Sequence, residues 1–159
     1  MEFNEDTFSH CPYEDGYDYF ITDKWKKQRH FKISTFLGPV GLMVFAVEVL
    51  KTKDSEPYEF ELLFPFDTDI DFAESKIKEK IKRGINKRYL ENVNGFLSIG
   101  ENNEMAGRII ENNDLNSSDF NTALVVDGKK ISLEDFYRLL NPYAGWQFSF
   151  KIKDRSEEL

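Results

Sequence analysis

Cysteine is nearly absent from this sequence: Cys11 stands alone among 159 residues. One thiol closes no intramolecular disulfide and satisfies no multi-cysteine zinc pattern, so the fold is expected to rest on its own core in a reducing, cytoplasmic setting. Histidine is almost as scarce, with only His10 and His30. Neighbouring side chains such as His10 and Cys11 diverge and no third ligand accompanies them, so neither a metal site nor an activated thiol is expected there. Long apolar runs are missing. The longest, Leu37 to Leu50, is broken by Gly38, Pro39, Gly41 and Glu48 and falls short of the roughly 20 residues that span a bilayer. The opening MEFNEDTFSHCPYEDGYDYF has neither a basic start nor an apolar segment, so no signal peptide is expected. A Gly-x-Ser-x-Gly elbow, a phosphate-binding P-loop and a Rossmann glycine fingerprint are all lacking, which removes the support for hydrolase, nucleotide-phosphate and dehydrogenase readings.

Aromatic side chains and charges are abundant. Fifteen Phe, seven Tyr and two Trp accompany a charged fraction of 31%, so a folded chain is expected rather than a disordered one. A chain of this length buries a core without disulfides or metal, and one domain is the expectation. The net charge of −8 opposes nonspecific attraction to nucleic acid and to anionic membranes. Its distribution is blocky. Residues 1–23 carry seven acids and no Lys or Arg, and 24–35 carry five basic residues and no acid. Residues 51–75 carry eight acids against two lysines, and 76–90 carry seven basic residues against Glu79 alone. Solvated surfaces account for blocks this short, and acidic faces of this kind also suit a basic partner.

Residues 1–23 read as an acidic, loop-rich arm with aromatic anchors at Phe8, Tyr13, Tyr17, Tyr19 and Phe20. Alternation over His30–Phe36, the Val-rich run Leu42–Leu50 and alternation over Tyr58–Phe64 predict three strands of an antiparallel meander. Ile77, Ile81, Ile85 and Tyr89 recur every four residues and predict a long helix over about 70–90, with acids at its start and bases at its end. Gly84 weakens its interior. The segments GFLSIG and AGRIIE flank ENNEM and suggest a hairpin, followed by a polar loop over 112–121. Leu124–Val126 then reads as a strand entering an Asp127-Gly128 turn. Ser132 caps a short helix over about 133–140, with Leu133, Phe136, Tyr137 and Leu140 as its apolar face, and Asn141 before Pro142 ends it. Trp146, Phe148, Phe150 and Ile152 alternate with polar residues and predict a final half-buried strand.

Candidate chemistry is thin. Asp67, Asp69 and Asp71 alternate like the start of a calcium loop, but an EF-hand register places Phe72 where Gly is needed and Lys78 where Glu is needed. Helix capping explains these acids, while a magnesium site on Asp67 and Asp69 stays open. Glu48, Lys51, Glu59 and Glu61 are the pieces a metal-dependent nuclease would draw on, and Glu59 and Glu61 equally form the wet face of a strand. The basic residues from Lys76 to Arg88 read as a solvated helix surface.

The order Val125-Val126-Asp127-Gly128, Ile131-Ser132, Asp135-Phe136, Arg138-Leu139-Leu140, Tyr143, Gly145-Trp146 and Phe148 resembles a short domain of uncharacterised bacterial proteins, over about residues 107–153. That resemblance implies a bacterial or phage source and a small recurring α+β unit, with no known activity or catalytic residues. The pattern has a glutamate before its glycine, where this chain has Ala144.

The expected architecture is α+β: a mainly antiparallel sheet of about five to seven strands packed by the two helices. It forms a single domain over 24–154, between the 1–23 arm and a frayed 155–159 tail. The expected core takes Phe31, Ile33, Val47, Val49, Phe60, Leu62, Ile77, Ile81, Val125, Phe136, Leu140, Trp146, Phe148 and Phe150. The expected function is non-enzymatic protein interaction, without cofactor, metal or catalytic residues. Its rival is an acidic inhibitor or immunity-type protein that binds a basic nucleic-acid-processing enzyme through Glu14, Asp15, Asp18, Asp54, Glu56, Glu59, Glu61, Asp67, Asp69 and Asp71. A metal-dependent enzyme built on acidic residues is the second alternative.

Overall fold

A computed structural model of the chain describes residues 16–112 and 121–158, which hold nine strands and two α-helices. The class is α+β and every strand pairing is antiparallel, as the sequence implies, but the strands divide among three sheets of four, two and three. They belong to two compact units. One takes the described residues up to 51 together with 57–86 and 153–158; the other takes 52–56 and those from 87 to 152. Among the described residues no helix is long and apolar enough to cross a membrane.

The first unit is a meander of β1 (Tyr17–Thr22), β2 (Gln28–Gly38), β3 (Gly41–Glu48) and β4 (Glu59–Phe64), in that spatial order. Residues 17–22, read from sequence as part of a loop-rich arm, are thus a strand, held by pairing with residues 28–33. Helix α1 (Ile70–Ile85) covers one face of this sheet. Asp69 caps it by accepting the N–H groups of Asp71 at 2.8 Å and Phe72 at 3.3 Å, and Lys82 and Arg83 complement the dipole at its end. Its buried stripe of Ala73, Ile77, Ile81 and Ile85 meets Phe31, Ile33, Leu42, Val44 and Ala46. The helix stops at Ile85, short of the expected residue 90, because Asn86 turns back to donate from Nδ2 to the Lys82 carbonyl.

The register of β3 departs from expectation. Val44, Ala46 and Glu48 face the helix, while Val47 is only half-buried and Val49 is 41% exposed. In a strand of period two, committing one residue to a face commits all the others. Glu48 occupies the helix side at the end of the strand because Arg29, opposite the end of β1, supplies its counter-charge at 2.9 Å.

The second unit contains β5 (Leu90–Val93), β6 (Phe96–Ile99), β7 (Arg108–Glu111), β8 (Thr122–Val126), β9 (Lys129–Ile131) and α2 (Leu133–Leu140), followed by a 3-10 turn over Asn141–Tyr143. Its core joins Leu90, Val126, Ile131 and Leu139, with Leu97, Ile99 and Phe136 packed against them. The Asp127-Gly128 turn forms as expected, with φ of 55° and 73°. The expected GFLSIG–AGRIIE hairpin does not. Asn94 and Gly95, at φ of 53° and 83°, close a hairpin of β5 on β6 instead, and β7 pairs with β8. Two consecutive residues at positive φ are what a two-residue hairpin loop requires, and Asn-Gly meets that need better than ENNEM. The polar loop expected at 112–121 lies mostly outside the described residues.

On α2 the buried residue is Leu139, with Tyr137 and Leu140 exposed, so the apolar face is rotated from the expected one. The last expected strand is absent. Residues 146–152 have no ladder partner among the described residues, and Trp146, Phe148 and Phe150 lie outside the core.

Candidate interaction surface

The described acidic residues singled out by sequence sit on several elements of the two units. Glu14 and Asp15 lie outside the described residues. Asp18, on β1, sits 2.7 Å from His30 Nε2 and 3.0 Å from Lys32 Nζ, and hydrogen bonds from these two groups hold its carboxyl below the ordinary range. Glu59 and Glu61 lie on β4, at the opposite edge of the same sheet, where Arg155 approaches them at 2.7 and 3.8 Å. Asp69 is the helix cap, Asp71 is exposed in the first turn and Asp67 is exposed in the preceding loop. Asp54 and Glu56 belong to the 52–56 segment of the second unit, where the Glu56 N–H donates to the Gly128 carbonyl at 2.8 Å. Among the described residues no group of three His, Cys, Asp or Glu is placed to hold a metal ion.

Sequence reasoning missed the buried charges. Arg29 bridges Asp23 at 3.1 Å and Glu48 at 2.9 Å, all three being buried. Burial alone disfavours the Asp23 anion. The N–H of Lys27, the Arg29 guanidinium and the N–H of Trp25 outweigh it and hold the carboxyl below its ordinary range. Glu48 also accepts the Tyr58 N–H, and the Arg29 guanidinium lies 5.1 Å from the Tyr58 ring. Each charge is matched within the fold, so the triad braces the end of the sheet. Lys80, on the buried side of α1, donates to the carbonyls of Glu61, Arg155 and Glu157 at 2.9 to 3.3 Å, and its burial pushes the ammonium pKa down. Three protons and three carbonyls make it a clamp on residues 153–158.

The unusual surface is apolar. Trp146 is 65% exposed, Phe148 89%, Phe150 68% and Ile152 71%. In a strand, a spacing of two would place all four on one side and Gln147, Ser149 and Lys151 on the other. The local chemistry explains why the row starts where it does. Pro142 ends the helical path, Gly145 turns the chain at a φ of 90°, and Trp146 is anchored through its N–H to the Tyr143 carbonyl and edge-on to the Tyr143 ring. Beyond that anchor, residues 147–152 form no hydrogen bond with any described residue.

A cavity of about 210 Å³ in the same unit is lined by Leu97, Leu139, Pro142 and Tyr143, with Glu91 and Arg138. Sites for drug-sized molecules usually measure about 300–1,000 Å³, and this one is smaller.

Residues 14–86 match a domain of unknown function, DUF7686, and residues 89–157 match a second, DUF7713. The two matches meet at residues 87–88, beside the boundary between the compact units at 86 and 87. The second spans the stretch that resembles an uncharacterised domain. No curated protein and no solved structure matches the chain.

Proposed function

We propose that this protein is a non-enzymatic protein-interaction module that docks through the aromatic row Trp146–Ile152. The observation that carries this reading is the exposure of four large apolar side chains at alternate positions of a segment that forms no ladder with the described residues. Exposed apolar surface of this extent is characteristic of interaction sites, and an extended peptide with alternating side chains is the form in which strands add to a partner's sheet. Four of the ten acids that support the inhibitor reading have work inside the chain: Asp18 with His30 and Lys32, Glu59 and Glu61 with Arg155, Asp69 as a cap. The single cysteine fits a reducing compartment for this module.

The test places a benzophenone-bearing side chain at position 148 of the full chain, in its native host, with a control at Lys129. A protein adduct at 148 that is absent from the control is the expected result. No adduct, or equal adducts at both positions, rejects the reading.

A further inference from the structure

We infer that the surface where the β1–β2 turn meets the end of α1 binds single-stranded nucleic acid. The inference is independent of the aromatic row and concerns residues of the first unit alone.

The sequence holds basic residues in two blocks, 24–35 and 76–90, and the fold joins them through one carboxamide. The Lys24 N–H donates to Asn86 Oδ1 at 2.7 Å, and Asn86 Nδ2 donates to the Lys82 carbonyl at 2.8 Å. The turn beside this junction is fixed. Oδ1 of Asp23 accepts the N–H groups of Trp25 at 2.9 Å and Lys27 at 3.0 Å, and the Asp23 carbonyl accepts that of Lys26 at 2.9 Å. Lys24, Lys26, Lys27 and Lys82 are all exposed. Among the described residues none of the four takes part in an ion pair. Like charges gathered in this way repel one another, and a bound anion relieves the repulsion.

Aromatic rings accompany the lysines and select the kind of anion. Trp25 is 47% exposed, with Lys24 Nζ 4.6 Å from its ring. One helical turn before Lys82, Lys78 Nζ lies 5.1 Å from the Tyr19 ring and 5.4 Å from the Tyr17 ring, both on the edge strand β1. Cations that follow phosphates, interleaved with rings that stack bases, are how a single strand is held. An acidic peptide would need the cations alone.

The net charge of −8 does not govern this surface. Asp69 and Asp71 lie at the other end of α1, roughly 20–25 Å away at 1.5 Å per residue, beyond the screening length of about 8 Å. Glu59 and Glu61 are on β4, at the far edge of the sheet from β1. Asp18 alternates to the other face of β1, where it meets His30 and Lys32. The nearer acids are engaged: Asp23 by Arg29 and the turn, and Glu74 by a hydrogen bond with Tyr17.

Fluorescence anisotropy of a labelled oligothymidylate of about 12 nucleotides, titrated with the full chain at several salt concentrations, tests the surface. Log K is expected to fall linearly with log salt at a slope of about −3, the value for four phosphate contacts on a single strand. Lys26→Gln combined with Lys82→Gln is expected to flatten that slope by about 1.4. Trp25→Ala is expected to weaken binding at least about fivefold at fixed salt. The lysine pair is exposed, so it reports on the site even where Trp25→Ala disturbs the turn. No binding at about 0.1 mM chain, the weak end of nonspecific affinities, or binding that neither change weakens, overturns the inference. Displacement of the strand by polyglutamate at equal charge concentration also overturns it and assigns the surface to an acidic protein.

Discussion

The carboxylate of Asp127 accepts the backbone N–H of Leu90 at 2.8 Å, from a residue 37 positions earlier in the chain. The same carboxylate accepts the Tyr89 N–H at 2.9 Å. Asp127 therefore has two roles: its positive φ makes the β8–β9 turn, and its side chain binds that turn to the start of β5.

These roles separate by substitution. Asp127→Asn keeps a residue that tolerates positive φ but removes the charge, and is expected to cost about 1–2 kcal/mol in urea unfolding. Asp127→Ala loses both acceptors and strains the turn, and is expected to cost about 2–4 kcal/mol. Equal costs would mean that the charged acceptor carries the whole effect and that turn strain adds nothing.

Gly84 inverts the usual rule for helix interiors, where Ala is more stable than Gly by about 1 kcal/mol. A Cβ at this position would lie 2.4 Å from Cε1 and 2.6 Å from Cζ of Phe60. Gly84→Ala is therefore expected to destabilise by about 1–3 kcal/mol. With Phe60→Leu already in place the same change should be neutral or favourable. A double-mutant cycle measures the difference, and additive effects would remove the steric explanation.

Removing Arg29 takes the counter-charge from two buried carboxylates. Arg29→Met is expected to cost about 3–5 kcal/mol at pH 7. The pH dependence follows from the depressed Asp23 carboxyl in the native chain. Its contribution is fully present above the unfolded value of about 3.9 and is lost as pH falls through the lower folded value. Without the guanidinium, burial raises the Asp23 pKa, so protonation relieves the variant. The gap between the two proteins should be widest near neutrality and should narrow below about pH 4. Urea midpoints measured across pH 3–7 check this, and a gap that is constant or widens in acid contradicts it.

Lys80 tests the clamp on residues 153–158. Lys80→Met replaces a buried ammonium with an apolar side chain of similar length, so global stability is expected to change by less than about 1.5 kcal/mol. The three carbonyl contacts are lost all the same. Tryptic cleavage after Arg155, followed by mass spectrometry, should accelerate by about tenfold as local opening becomes easier. An unchanged cleavage rate would show that Arg155 and Glu158 hold the segment by themselves.

Local signals were legible wherever a residue's own chemistry dictates the backbone. Asp69 and Ser132 cap their helices, Asp127-Gly128 turns the chain, and the Ile77–Ile81–Ile85 stripe faces a core. Pairing choices were less legible. ENNEM looked like a hairpin loop, yet Asn94-Gly95 took that role because it meets the dihedral demand in two residues. In β3 both faces carry apolar residues, so hydrophobicity alone did not say whether Val44 or Val47 meets the helix. The partner that decided it, Arg29 beside Glu48, lies 19 residues away.

The candidate site shows the same division. By its own composition this chain determined two capped helices, antiparallel strands and a segment, WQFSFKI, with one apolar side, because periodicity and local hydrogen bonding are properties of adjacent residues. Only the tertiary structure decided which apolar sides are covered. Burial depends on what other segments bring to the same place, and the fold places a helix over β2 and β3 while, among the described residues, no strand pairs with Trp146, Phe148, Phe150 and Ile152.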